Sequence, residues 1–192
     1  MPRIIAGDLG GRTIPAPRGD RTRPTSDRVR EAIFSRLDGY GVIDEAQVLD
    51  LFAGTGALGL EALSRGARSA VFVEAHQATA RNIARTCQTL GLTECTEVIT
   101  ARAKSSLSAL GVSGPFDLVL IDPPYDVPTA EVEDLCRALI DERLLADEAT
   151  VVIERSSRTP PITWPKGCAE DMTRTYGETT VFYASVLDSV EG

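Results

Sequence analysis

The sequence predicts a doubly wound α/β domain whose mostly parallel sheet ends in an antiparallel hairpin, with a small hairpin-plus-helix extension in front. Three observations predict this. From Gln47 onward, short and nearly unbroken apolar runs alternate with helical apolar stripes, as expected of parallel strands buried on both faces. A glycine-rich turn follows the first run. Two β-patterned segments joined by Gly177-Glu178 close the chain, and so short a connection requires antiparallel pairing.

Taken in order, Arg3-Ile4-Ile5-Ala6-Gly7 and Arg12-Thr13-Ile14-Pro15 are expected to pair as a hairpin across Asp8-Leu9-Gly10-Gly11. An Arg- and Gly-rich loop runs from Pro17 to Pro24. Thr25, Ser26 or Asp27 then caps a helix whose stripe is Val29, Ile33, Phe34 and Leu37, ended by Gly39 and Gly41. The strands expected after it are Val48–Phe52, Ala70–Glu74, Glu97–Thr100, Phe116–Ile121 and Thr150–Glu154. Ala80, Ile83, Ala84 and Cys87 mark one intervening helix, with Gly91 where its C-cap falls. Val132, Leu135, Cys136 and Leu139 mark another. Beyond the prolines at 160, 161 and 165, Ala169–Tyr176 and Thr179–Val186 form the hairpin.

Composition bounds the function. Apolar residues make up 43% and charged residues 25%, ordinary values for a globular chain of 192 residues with one full core. No stretch approaches the roughly 20 apolar residues of a bilayer span, and the N-terminus lacks a signal-peptide core. We therefore expect a soluble, cytoplasmic protein. Cys87, Cys95, Cys136 and Cys168 are scattered, and His76 is the only histidine. No metal-ligand spacing is present, so no metal is expected and the cysteines are read as reduced and packed.

The net charge of −8 argues at first against a polyanionic partner. Its distribution reverses that argument. Residues 1–36 hold eight arginines against four acids, so the acidic excess falls on the rest of the chain. Residues 1–40 are accordingly read as a basic, polyanion-binding extension and 41–192 as the main domain. A solvated Arg-rich surface would produce the same pattern.

Asp50-Leu51-Phe52-Ala53-Gly54-Thr55-Gly56 reads as strand, glycine turn and helix start. Gly54 and Gly56 let the backbone approach a ligand closely, and the helix N-terminus supplies unpaired N–H groups and positive dipole. Glu74, at the next strand end, is positioned for the ribose hydroxyls of an adenosine, the geometry of a doubly wound switch point. Gly54 to Gly59 also fits GxGxxG, so NAD stays open beside S-adenosylmethionine. Asp50 favours the latter, whose ammonium end a carboxylate there can engage.

Asp122-Pro123-Pro124-Tyr125 follows the strand Phe116–Ile121, hence at a C-terminal strand end. These residue types suit methylation of an exocyclic base amine. Such an amine is a poor nucleophile because its lone pair is delocalised into the ring. The Asp122 carboxylate and the Pro123 carbonyl can hold its two N–H groups and turn the lone pair towards an incoming methyl. Pro123 and Pro124 stiffen the turn, and Tyr125 offers a face on which an unstacked base can lie. An ordinary Asp-Pro turn would explain the four residues alone, but not their succession after a glycine loop and an acidic strand end.

At this point the chain resembles the RsmD family, bacterial methyltransferases of guanine N2 in 16S ribosomal RNA. The likeness runs through Arg3–Gly7 with Gly11-Arg12, then residues 23–34, residues 50–59, Asp122–Tyr125 and Tyr176-Gly177-Glu178-Thr179. The resemblance implies a Rossmann-like class I methyltransferase core with a seven-stranded sheet, S-adenosylmethionine as cofactor, and 16S rRNA as partner, within the small ribosomal subunit. It implies Asp50, Phe52, Gly54, Gly56 and Glu74 around the cofactor, and Asp122, Pro123 and Tyr125 at the target base with Pro124 beside them. Arg102 stands where such enzymes often carry Asp or Asn near the adenine, leaving the Ala103 backbone N–H for that contact. Arg21, Arg23 and Arg28, flanking the loop-to-helix junction, are the expected phosphate contacts. The expected state is a monomer. A DNA adenine-N6 methyltransferase could use the same chemical motif, and an NAD-binding protein would share only the glycine loop.

Overall fold

The computed structural model describes residues 2–15 and 26–187. The chain forms α1 (Asp27–Tyr40), β1 (Gln47–Leu51), α2 (Ala57–Ser64), β2 (Ser69–Glu74), α3 (Gln77–Thr89), β3 (Thr96–Thr100) and α4 (Ala103–Leu110). It continues as β4 (Phe116–Ile121), α5 (Thr129–Asp141), β5 (Leu145–Ser156), β6 (Cys168–Tyr176) and β7 (Thr179–Val186). One seven-stranded sheet has the order β3-β2-β1-β4-β5-β7-β6. β1 to β5 pair in parallel, while β7 runs antiparallel between β5 and β6. This is the Rossmann-like class I architecture, and the strand order reverses between β1 and β4.

Alternation along the strands divides the core in two. Val48, Phe72, Leu118, Leu120 and Val152 point to the face covered by α1, α2 and α3. Leu49, Leu51, Val71, Val119, Ile121 and Ile153 point to the face covered by α4 and α5. Most of these side chains are essentially inaccessible, so the apolar runs of the sequence do mark strands buried on both faces. Among the described residues no helix is long and apolar enough to cross a membrane.

Ser26 caps α1, its hydroxyl accepting from the Val29 N–H at 3.3 Å. Gly41 ends the helix in the left-handed conformation, whereas Gly39 lies inside it. Gly91 is likewise left-handed, one residue beyond the Leu90 cap of α3. β5 starts five residues earlier than the apolar pattern shows, because Leu145–Ala149 mixes charges into its first turns.

The N-terminal hairpin is reduced to a single antiparallel bridge, Arg3 to Thr13. The physical reason lies in helix α2. The Glu61 carboxylate accepts the N–H groups of Ile5 (2.7 Å) and Ala6 (3.1 Å), which a strand ladder would otherwise need. Gly7 passes so close that an added Cβ would fall 1.7 Å from the Ser64 carbonyl oxygen. Arg30 of α1, 0% exposed, lies 3.9 Å from Glu61 and donates to Asp27 and to the Arg3 carbonyl, and Arg65 closes on Glu61 at 2.8 Å. Ile4, Ile14, Ile33, Phe34 and Leu37 join the same apolar cluster as β1 and α2. The extension is therefore docked by a buried ionic centre as well as by apolar packing.

All four cysteines are free thiols. Burial pushes Cys136 up to about 12 and Cys168 up to about 11, so neither is a ready nucleophile at neutral pH. Among the described residues no group of His, Cys, Asp and Glu is arranged to hold a metal ion.

Candidate active site

The two sequence motifs emerge from adjacent strands. β1 and β4 are paired, with Leu51 opposite Ile121, so the segments after them leave the sheet side by side at its switch point.

The turn after β1 is built from left-handed backbone: Phe52 at φ 60, Gly54 at φ 56 and Gly56 at φ 78. For an aromatic residue this region is costly, about 1–3 kcal/mol, and such strain concentrates at binding turns. A Cβ on Gly54 would meet nothing nearer than 3.9 Å, so the space above this turn is open. Gly59 has the opposite reason for being glycine: its Cβ would lie 2.4 Å from Phe72 Cε1, so its absence lets α2 approach β2.

Two acids hold this turn. Asp50, 1% exposed, accepts the Gly59 N–H at 2.9 Å. Burial raises its pKa well above the ordinary carboxyl range; the Gly59 bond opposes the shift, and nearby Asp122 and Glu74 add to it. Glu74 accepts the Gly54 N–H at 2.9 Å through one oxygen and the His76 N–H at 2.8 Å through the other. Each carboxylate oxygen retains capacity for a further donor, as ribose hydroxyls would require. Beside it, the Ala101 N–H bonds the Glu74 carbonyl, and Ala103 is buried in the first turn of α4, where N–H groups lack intrahelical partners. Arg102 precedes that turn with an exposed side chain and makes no side-chain cap.

On the β4 side, Asp122 is half-buried, Pro123 buried and Pro124 exposed. Tyr125 is 56% exposed, an unusual place for so large a ring. Beside it opens a cleft of about 520 Å³, bounded by the start of α1 (Ser26, Arg28), by Tyr125, and by Tyr176 and Glu178 of the β6–β7 turn. Arg28 thus stands at the cleft, whereas Arg21 and Arg23 lie outside the described residues.

Two functional candidates, Arg155 and Glu154, belong to no motif in the sequence. Arg155 is buried and donates to the Val127 carbonyl at 2.6 Å, which ties down the segment following Tyr125. Burial lowers its pKa, and the nearby Asp122 charge opposes that shift. Its neighbour Glu154 lines the cleft. The available signal was a pair of opposite charges ending the apolar run Val151-Val152-Ile153.

A family model described as conserved hypothetical protein 95 matches residues 2–185. The chain is 39% identical over 166 residues to the ribosomal RNA small subunit methyltransferase D of Escherichia coli K12, covering 84% of this chain and 80% of that one. The Haemophilus influenzae protein of the same name is 36% identical over 162 residues, with 84% and 82% covered. A solved methyltransferase structure from Escherichia coli superposes with a TM-score of 0.82 at 35% identity, covering 96% of this chain and 97% of that one. At 17% identity, an RNA methyltransferase of Salinibacter ruber, solved with S-adenosyl-L-homocysteine, shares the fold with a TM-score of 0.65, covering 87% and 95%.

Proposed function

Since the chain belongs to the family described as conserved hypothetical protein 95, the RsmD family, we propose that it transfers a methyl group from S-adenosylmethionine to guanine N2 in 16S rRNA. The observation that carries this reading is the juxtaposition of the two strand ends, with the glycine turn of β1 and Asp122–Tyr125 of β4 flanking one switch point.

The residues on the β1 side fit the cofactor. The open space over Gly54 admits a ligand against the backbone, and the buried Asp50 carboxyl and Glu74 suit its ammonium and ribose hydroxyls. Phe52, Gly56 and the Ala103 N–H complete that half. When bound, the cofactor supplies an activated methyl on a sulfonium, so the protein need provide no nucleophile of its own. On the acceptor side, the Asp122 carboxylate and the Pro123 carbonyl accept from the two N2 hydrogens and direct the lone pair at the methyl carbon. With the cofactor bound, the amine would take the methyl group and leave a neutral thioether, and the surplus amine proton would pass by way of the Asp122 carboxylate to solvent. Tyr125 and Pro124 support the base, Arg155 keeps the loop in register, and Arg21, Arg23 and Arg28 contact phosphates from the basic extension, residues 1–40, against the methyltransferase domain, 41–192.

The test is transfer of labelled methyl to small ribosomal subunits, naked 16S rRNA and DNA, followed by nucleoside analysis. N2-methylguanosine is expected from an RNA substrate; N6-methyladenosine in DNA would overturn the reading. Asp122→Ala is expected to lower the single-turnover rate by about 10²–10³-fold, the usual scale for losing one transition-state contact, with cofactor affinity nearly intact. A near-normal rate would remove Asp122 from the chemistry.

A further inference from the structure

The acceptors assigned to Asp122 and Pro123 cannot by themselves choose guanine, because adenine and cytosine also offer an exocyclic NH2. Some further group must read the ring. Resting on the reading above, we propose that Glu154 is the specificity residue, accepting the N1–H of the target guanine at the floor of the cleft.

Its placement follows from the sheet register. Ile121 of β4 lies opposite Ile153 of β5, so Glu154 is the cross-strand neighbour of Asp122. Side chains alternate, which sends Glu154 to the same face as Val152 and Leu120, towards α1. There it is 9% exposed, and it borders both the cleft and a small apolar hollow formed by Ile33, Leu58, Leu120 and Val152. Neighbouring strands are about 4.8 Å apart. That spacing suits two carboxylates serving adjacent donors on one base edge.

The chemistry of the bases supplies the selectivity. Guanine carries an N1–H donor immediately beside its amine, and a carboxylate accepts it. Adenine and cytosine place a ring lone pair beside theirs, which a carboxylate repels. The cleft volume of about 520 Å³ falls within the range of about 300–1,000 Å³ usual for small-molecule sites. Tyr125 and Tyr176 both border it, giving the base apolar faces to lie on.

The experiment compares two RNAs that differ only at the target nucleotide, guanine or 2-aminopurine. The latter keeps the C2 amine but has a lone pair at N1. The parent protein is expected to prefer guanine by at least about 100-fold in single-turnover rate, as sites built around a hydrogen-bond donor discriminate strongly. In Glu154→Gln the amide can donate to N1 of 2-aminopurine, so the preference is expected to fall at least about tenfold, with melting temperature and S-adenosylmethionine affinity unchanged. If Glu154→Gln melts early, Glu154→Asp is read instead; it keeps the charge and is expected to retain the guanine preference at a lowered rate. A preference unchanged in Glu154→Gln, or lost in Glu154→Asp, overturns the inference alone. Absence of transfer to guanine by the parent overturns the underlying reading and the inference with it.

Discussion

At Asp50 the protein buries a carboxyl beside Asp122 and Glu74, with the Gly59 N–H as a backbone donor to it. Asp122 and Glu74 disfavour the charged form of Asp50, a repulsion that a cation arriving beside Asp50 would relieve. A cationic cofactor would do so, and the pH dependence of stability exposes the cost while that cation is absent. The folded pKa of Asp50 lies well above its unfolded value of about 3.9. Below that value both states hold the proton and nothing is lost. As pH rises from there through the raised folded value, the unfolded chain gives up its proton first, so stability falls. Asn cannot titrate but can still accept from Gly59. Asp50→Asn is therefore expected to gain on the parent in denaturant midpoint as pH goes from 5 to 8, approximate bounds of the window, while binding S-adenosylmethionine more weakly by about 1.5–3 kcal/mol. Midpoints that run parallel across that range would show that Asp50 carries no such burden.

At the scale of elements, the approach of α2 to β2 aims the glycine turn. Gly59 is where that approach is tightest, since its Cβ would lie 2.4 Å from one Phe72 ring carbon and 2.9 Å from another. Phe72 is fully buried and cannot swing away. Gly59→Ala is expected to cost about 1–3 kcal/mol by overpacking and to weaken cofactor binding by displacing the helix start. The double variant Gly59→Ala/Phe72→Leu should recover much of both in a thermal melt and a binding titration; no recovery would mean that the contact is not the cause. The elements themselves were largely readable from sequence. Phe116–Ile121 and Thr179–Val186 are expected and observed with identical bounds, because turn residues mark where they start: Gly114-Pro115 precedes the first and Gly177-Glu178 the second, while Asp122-Pro123 ends the first. Helix α4 has a weak signature, since Ala103–Leu110 contains three serines and shows only a short stripe, Leu107 and Leu110. The position of Glu154 was hidden for a different reason. Its nearness to Asp122 depends on β5 lying next to β4, which is a property of strand order rather than of any local pattern.

For the whole molecule, the question is how a chain of net charge −8 meets a polyanion. The arginines of the extension divide by task. Arg30 is buried among Asp27, Glu61 and the Arg3 carbonyl, and Arg36 lies over the Tyr40 ring at 5.9 Å. Arg30 holds the extension to the body through Glu61, whereas the Arg36 contact stays within α1. Arg28 differs: it is exposed in the first turn of α1, at the rim of the cleft beside Tyr125. A nucleotide entering that cleft carries its phosphates past Arg28, and Arg21 and Arg23 precede it by only a few residues in sequence. Each phosphate contact contributes about 0.7–0.9 to the slope of log affinity against log salt. Replacing Arg21, Arg23 and Arg28 with Gln is therefore expected to weaken RNA binding and to flatten that slope by up to about 2–3. S-adenosylmethionine affinity should stay constant, because its candidate pocket belongs to β1, β2 and α4. Arg30→Gln should behave oppositely: Glu61 would lose a buried cationic partner, so the melting temperature should fall, whereas the salt slope of the protein that remains folded should match the parent. A triple variant that loses stability while keeping the parent slope would show that these three arginines fasten the extension rather than grip RNA.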